Sequence, residues 1–175
     1  YTYRRGNLTD VEYPDLNHEC WEYDPVTSQV TYYRNQTGIA THYTLDSRGN
    51  VKIAKQYNVS DLSHPRITKY DNYTPAPTTI NDMPGGLAQS VTVGLASLTE
   101  GSNPDAVTTT MEYYGSDSGP GSIGLVRKVT QADGTAVAAM VEYEYDKNGN
   151  LSASWDPMRR RTQYVYDNLD RLAVL

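Results

Sequence analysis

The sequence has no phenylalanine, one cysteine and no apolar run approaching the ~20 residues that a membrane-spanning helix requires. A lone Cys20 forms no internal disulfide, and it leaves a structural zinc site short of the paired thiolates such sites take, so the redox compartment stays unread. The N-terminus lacks both an initiator methionine and the charged-then-apolar layout of a signal peptide. Beginning on Tyr1 and stopping on Leu175, the chain is expected to be a portion of something longer. A basic stripe is also missing. With a net charge of -6 and a pI near 5.0, the composition argues against a nucleic-acid partner.

What is present is tyrosine: 16 Tyr and two Trp in 175 residues, enough chain for one ordinary domain with a modest core. The tyrosine ring is apolar but its hydroxyl wants a partner when buried, which suits half-wet sheet surfaces better than a dry interior. Strands are therefore the expected element, and evidence for helices is almost absent.

A period runs through both ends of the chain. Tyrosine followed by aspartate recurs at Tyr23-Asp24, Tyr145-Asp146 and Tyr166-Asp167, with Tyr43-Thr44-Leu45-Asp46 as a looser copy and Tyr3 opening a degenerate one. Before each aspartate the residues alternate: Val141, Tyr143 and Tyr145 against Glu142, Glu144 and Asp146, and Thr41, Tyr43 and Leu45 against His42, Thr44 and Asp46. That is the period-two pattern of a half-buried strand. After it comes a turn, Asp46-Ser47-Arg48-Gly49-Asn50-Val51 or Asp146-Lys147-Asn148-Gly149-Asn150-Leu151, echoed by Arg4-Arg5-Gly6-Asn7-Leu8. Aspartate opens the turn by accepting from its own backbone, Gly and Asn accept positive φ, and the next apolar residue starts the returning strand. Each copy is thus one β-hairpin.

From about Tyr57 to Thr110 the pattern lapses into Thr74-Pro75-Ala76-Pro77, Met83-Pro84-Gly85-Gly86 and Gly101-Ser102-Asn103-Pro104. Only Ser90 to Val93 and Val107 to Tyr113 look like strands there. A second loop, Gly115 to Gly121, precedes the strand-like Gly124 to Thr130. The expected organisation is hairpin repeats over 1–56, a loop-rich stretch of degenerate repeats or an insertion over 57–112, and hairpin repeats over 113–175.

The run Tyr143-Glu144-Tyr145-Asp146-Lys147-Asn148-Gly149-Asn150-Leu151, then Asp156, then Arg161-Thr162-Gln163-Tyr164-Val165-Tyr166-Asp167, ending Asp170-Arg171-Leu172, resembles the YD-repeat, or Rhs-repeat, consensus. The resemblance is strong over 141–175, fair over 1–56 and weak between. Arg159 stands where the first Gly-Arg turn would have glycine, Asp170 replaces it in the second, and Asp24-Pro25-Val26-Thr27 lacks it too. These substitutions count against positive-φ turns there, although Asp tolerates such a backbone better than most residues, and they leave the loop type of those hairpins open. The resemblance implies an all-β fold, antiparallel hairpins forming a spiralling ribbon or part of a hollow shell, as in Rhs polymorphic toxins, toxin-complex proteins and teneurins. Its repeat-defining residues would be Tyr23, Asp24, Tyr43, Asp46, Gly49, Asn50, Tyr143, Tyr145, Asp146, Gly149, Asn150, Tyr164, Tyr166 and Asp167. Stability would be a sum over neighbouring hairpins.

Little chemistry remains to assign. His18 and Cys20, with Glu19 and Glu22, are candidate metal ligands, but zinc usually takes more Cys or His than this. The aspartates Asp15, Asp24, Asp46, Asp146, Asp156 and Asp167 could pair for glycoside hydrolysis, yet their turn spacing already accounts for them. Arg159, Arg160, Arg161 and Arg171 could grip an anion, with cross-strand pairing the plainer reading. Exposed Tyr32, Tyr33 or Tyr73 could contact a glycan, against stacked rungs between hairpins. Asn7, Asn35, Asn58, Asn72 and Asn150 open glycosylation sequons, relevant only in a eukaryotic secretory context. Neither a self-cleavage motif nor a toxin domain is recognisable. No catalytic, cofactor or metal site is expected, and the chain is not expected to be an enzyme. The expectation is a structural shell or scaffold segment of a large secreted or surface bacterial protein. Its partners would be the remaining repeats or neighbouring copies, with an encapsulated effector or a glycan as further candidates. The alternatives are an adhesion or glycan-binding module and a segment of an extracellular filament.

Overall fold

The structure, a computed structural model, describes residues 1–78, 84–95, 106–118 and 121–174. Met83, 101–104, Gly119, Pro120 and Leu175 lie outside the described residues. Those described are all-β apart from one short 3₁₀ turn, Ser116–Ser118. The strands are β1 (Thr2–Arg4), β2 (Asn7–Glu12), β3 (His18–Tyr23), β4 (Val30–Arg34), β5 (Ile39–Leu45), β6 (Val51–Asn58), β7 (Asp61–Tyr73), β8 (Ala88–Leu95), β9 (Val107–Tyr113), β10 (Val126–Gln131), β11 (Ala139–Tyr145), β12 (Leu151–Trp155), β13 (Arg161–Gln163), β14 (Val165–Tyr166) and β15 (Leu172–Val174). Hydrogen-bonded order follows chain order from β1 to β13, and β14 pairs with β15 separately. Every connection is therefore a hairpin or a loop between sequence neighbours, which is the topology a tandem hairpin repeat dictates.

The chain divides into two compact units, residues 1–70 with 92–106, and residues 71–91 with 107–175. In the first, cross-strand pairing puts Val11 opposite Glu19, Trp21 opposite Tyr33, Tyr33 opposite Thr41 and Tyr43 opposite Ala54 on one face. Cys20, Arg34, Tyr32, His42 and Lys55 share the other. In the second, Met111, Val129 and Val141 stand in one row, and Glu112, Lys128, Glu142 and Trp155 in the row beside it. The buried apolar side chains among the described residues are Val11, Ala40, Ile67 and Ala153. Most other strand side chains among the described residues are only half-buried.

One strand was not among those expected between Tyr57 and Thr110: β7 runs from Asp61 to Tyr73. Pro65 hid it, since proline breaks the ladder of an interior strand. The register between β6 and β7 shifts between Gln56 and Asn58, so Pro65 sits in an interrupted stretch where no ladder donor is required.

Candidate functional site

The turns are built alike, residue by residue. The Asp46 carbonyl accepts from the Gly49 amide at 3.0 Å, and the Asp46 amide donates to the Asn50 carbonyl at 2.8 Å. The Asp46 Oδ1 accepts from the amides of Arg48 (2.8 Å) and Asn50 (2.9 Å), and Oδ2 accepts from the Asn50 side chain at 2.9 Å. Gly49 has φ 86°. This is a turn closed by a left-handed residue and a one-residue bulge, and the register slips between Thr44 and Leu45 accordingly. Asp146 repeats it with Asn148, Gly149 (φ 88°) and Asn150.

Asp156 and Asp167 make the same turn without glycine. The Asp156 carboxylate accepts from the amides of Met158 and Arg160, both at 2.9 Å, and that of Asp167 from Leu169 (2.9 Å) and Arg171 (3.1 Å). Arg159 (φ 64°) and Asp170 (φ 57°) occupy the left-handed position, so the missing glycines did not change the loop type there. The five hydrogen bonds that each of these aspartates makes hold the backbone in place of glycine's freedom. Only the Asp24 loop differs. It is one residue longer, closed from the Ser28 amide to the Asp24 carbonyl at 2.9 Å, with Ser28 at φ 58°. Two further turns were missed in sequence. Asn35 stands in for aspartate with Gly38 at φ 81°, and the Tyr13 backbone closes a turn of the same span with Leu16 at φ 63°, where Asp15 accepts from the Asn17 amide. The spacing of Asn35 and Gly38 equals that of Asp46 and Gly49, which was the available signal.

These hydrogen bonds favour the ionised carboxylate. Asp46 is held below the ordinary value by the Asn50 side chain and then by backbone amides, Asp24 by the amides of Thr27 and Val26, Asp156 by the Arg160 amide and Asp167 by the Arg171 side chain. At Asp146 desolvation pulls upward, but the bonds from Asn150, Asn148 and Gly149 together outweigh it.

The tyrosine before the aspartate has its own task. The Tyr23 hydroxyl donates to the Leu8 carbonyl at 2.7 Å and the Tyr145 hydroxyl to the Val126 carbonyl at 3.0 Å, each reaching back to the preceding strand. Desolvation raises the Tyr145 hydroxyl. In this position the third copy carries Leu45, while Tyr43 aligns with Trp21 and Tyr143 two residues earlier. Tyr164 approaches Ser154 through its hydroxyl at 3.4 Å, and Tyr166 is half-buried in β14. Turns also touch one another. A Cβ on Gly49 would meet the Gln29 side chain at 2.2 Å, and one on Gly121 would meet the Lys147 carbonyl oxygen at 2.2 Å. The Asp170 Oδ1 accepts from the Asn148 and Asn150 side chains at 2.9 and 2.8 Å, linking two consecutive aspartate turns.

The other sequence candidates disperse. Glu19 lies on the opposite sheet face from Cys20, accepting from the Tyr13 and Tyr33 hydroxyls at 3.1 and 3.2 Å, and His18 meets Asp10 at 3.3 Å. No group of three metal-ligating side chains assembles among the described residues. Arg159 pairs with Glu142, Arg160 with Asp156 (2.6 Å), Arg171 with Asp167 (2.7 Å), and Arg161 lies over the Trp155 ring at 5.4 Å. The Tyr32 ring packs on His42 at 4.7 Å and the Tyr33 ring on Trp21 at 5.4 Å, so both rings are engaged by neighbours. Tyr73 is half-buried at the end of β7. Ser63, His64 and Asp61 are mutually hydrogen-bonded, but Ser63 and Asp61 meet the same ring nitrogen, Nδ1. A proton relay needs them on opposite nitrogens.

Among the described residues, two cavities lie in the first unit. One, of ≈ 530 Å³, is an apolar groove lined by Trp21, Val30, Tyr33, Tyr43, Leu45 and Val51. The second, of ≈ 620 Å³, is polar, and Trp21 lines it as well.

The RHS Repeat family model matches residues 145–175. A search of curated proteins finds no match. Among solved structures, the chain is similar to the crystal structures of TcdB2-TccC3-TEV (15% identity, TM-score 0.42) and TcdB2-TccC3-Cdc42 (15% identity, TM-score 0.43). In each case the likeness covers 95% of this chain and 9% of the other.

Proposed function

From the premise that the chain carries an RHS repeat, we propose that it is a structural segment of an Rhs-type shell or scaffold. The observation that carries this reading is the near-absence of a private core. Hairpins pair in chain order while, among the described residues, only Val11, Ala40, Ile67 and Ala153 are buried apolar residues, and an aromatic groove stays open on one sheet face. A sheet face of this kind gains stability when further chain covers it, as in other repeat architectures. Spiralling of the ribbon, enclosure of an effector, and a secreted or surface location belong to the proposal. So do the division at residues 56 and 112 and the repeat-defining role of the tyrosines, aspartates and glycines named above. The chain acts in it without catalysis; its partners are further repeats or neighbouring copies.

Imaging the complete gene product tests the proposal. Closed hollow particles are the expected result. Open-ended fibres would favour the filament alternative, and solid compact particles would refute both.

A further inference from the structure

We propose that Asn148 is a self-modification site, and that its conversion to an acid breaks the contact between the Asp146 and Asp167 turns. Asn148-Gly149 is the one Asn-Gly step in the sequence; every other asparagine is followed by a larger residue. Glycine has no Cβ, so its amide nitrogen reaches the side-chain carbonyl carbon of the preceding asparagine with the least obstruction. The step needs only the chain and water. The Gly149 nitrogen bonds to the Asn148 side-chain carbonyl carbon, the bond from that carbon to Nδ2 breaks, and the Gly149 proton leaves with Nδ2 as ammonia. Water then opens the five-membered imide at one carbonyl to give aspartate, or at the other to give isoaspartate. Nothing is oxidised or reduced. Asn148 is exposed, so water reaches both stages.

The neighbouring turn gives the conversion its effect. Asn148 Nδ2 donates to Asp170 Oδ1 at 2.9 Å, and Asn150 Nδ2 donates to the same oxygen at 2.8 Å. Asp170 stands in the left-handed position of its own turn at φ 57°, where glycine is the unstrained choice. Its carboxylate makes no ion pair among the described residues. Conversion of Asn148 to aspartate removes one donor and sets a carboxylate against a carboxylate, so an attraction becomes a repulsion. Asn150, which also donates to Asp146 Oδ2 at 3.2 Å, is left to hold the contact alone. The isoaspartate product goes further, because it inserts a methylene into the backbone of the turn.

The folded turn slows the step without preventing it. The Gly149 amide donates to the Asp146 carbonyl at 3.1 Å and must leave that bond before its nitrogen attacks, which ties conversion to local opening of the turn. The site thus keeps a covalent record of how often the turn has opened.

Incubating the chain in mildly alkaline buffer, folded and in urea, tests the proposal, with conversion mapped by peptide mass spectrometry. Asn148 should convert before any other asparagine, and about tenfold faster in urea than in the folded chain, the loss of one protecting hydrogen bond. Asp133-Gly134 rearranges without a change of mass and does not interfere. Asn148→Asp supplies the product directly and should lower the urea midpoint of unfolding. Adding Asp170→Asn, which keeps an acceptor and removes the repulsion, should raise the midpoint more in that background than in the wild-type chain. Earlier conversion of a different asparagine overturns the proposal, as do equal rates with and without urea. An Asp170→Asn gain of the same size in both backgrounds overturns it as well. None of these results bears on the shell reading.

Discussion

Thr74 is the side chain on which one hydrogen bond can be weighed against one methyl group. It is fully buried, donating its hydroxyl to the Pro84 carbonyl at 2.7 Å and accepting from the Leu87 amide at 3.0 Å. Its own amide and carbonyl are bonded to the Leu87 carbonyl (2.9 Å) and the Gly86 amide (3.1 Å), so the residue clasps the base of the loop between β7 and β8. Thr74→Val keeps the shape and removes the hydroxyl. The Leu87 amide then has no partner, at a cost of about 1–3 kcal/mol, while the carbonyl of exposed Pro84 regains water and adds little. Thr74→Ser keeps both bonds and loses one methyl, about 1 kcal/mol. Urea unfolding should rank the chains wild type, Ser, Val, with a melting shift of roughly 2–4 °C per kcal/mol for a chain of this size. Amide exchange at Leu87 discriminates further, since it should accelerate in Thr74→Val and stay slow in Thr74→Ser. Equal exchange in the two variants, with Val as stable as wild type, would refute the clasp.

Three further outcomes follow from the same geometry. Asp15, Asp24, Asp46, Asp146, Asp156 and Asp167 are all held below their ordinary values, and Asp61 is lowered to about 2 by the Ser63 side chain, the Ser63 amide and His64. Depressed carboxylates contribute stability that is complete above the unfolded value of about 3.9 and is lost as pH falls through the folded values. Melting temperature should therefore drop steadily between about pH 5 and about pH 2, and a flat profile would contradict the turn geometry. Gly6→Ala, where nothing lies within 4 Å of the added Cβ, should cost only the left-handed backbone penalty of about 1–2 kcal/mol. Gly149→Ala should cost more, because its Cβ would also meet the Gly121 carbonyl oxygen at 2.9 Å; equal melting shifts for the two variants count against packed turns. Tyr23→Phe and Tyr145→Phe each remove one hydroxyl-to-carbonyl bond and should each lower stability by about 0.5–1.5 kcal/mol in denaturant titrations.

The sequence alone determined the class of element and much of its grammar. Period-two alternation before Asp46 and Asp146, and the Gly-Asn pair after them, specify strand, turn and returning strand through local forces, since an aspartate bonding its own turn needs nothing from afar. Where the grammar was unorthodox, only the folded chain decided. Arg159 and Asp170 adopt the left-handed backbone because the aspartates before them and the strands they join impose it. Tyr13 closes its turn through the backbone alone, and β7 exists despite Pro65 because the break in its ladder falls where the proline stands. The polar cavity was illegible beforehand: Arg4 ends β1, Trp21 lies in β3 and Asp24 in the turn after it, and only hairpin pairing brings them to one cavity. Local bonding is written in neighbouring residues, whereas a cavity is a product of register, which no single stretch of chain contains.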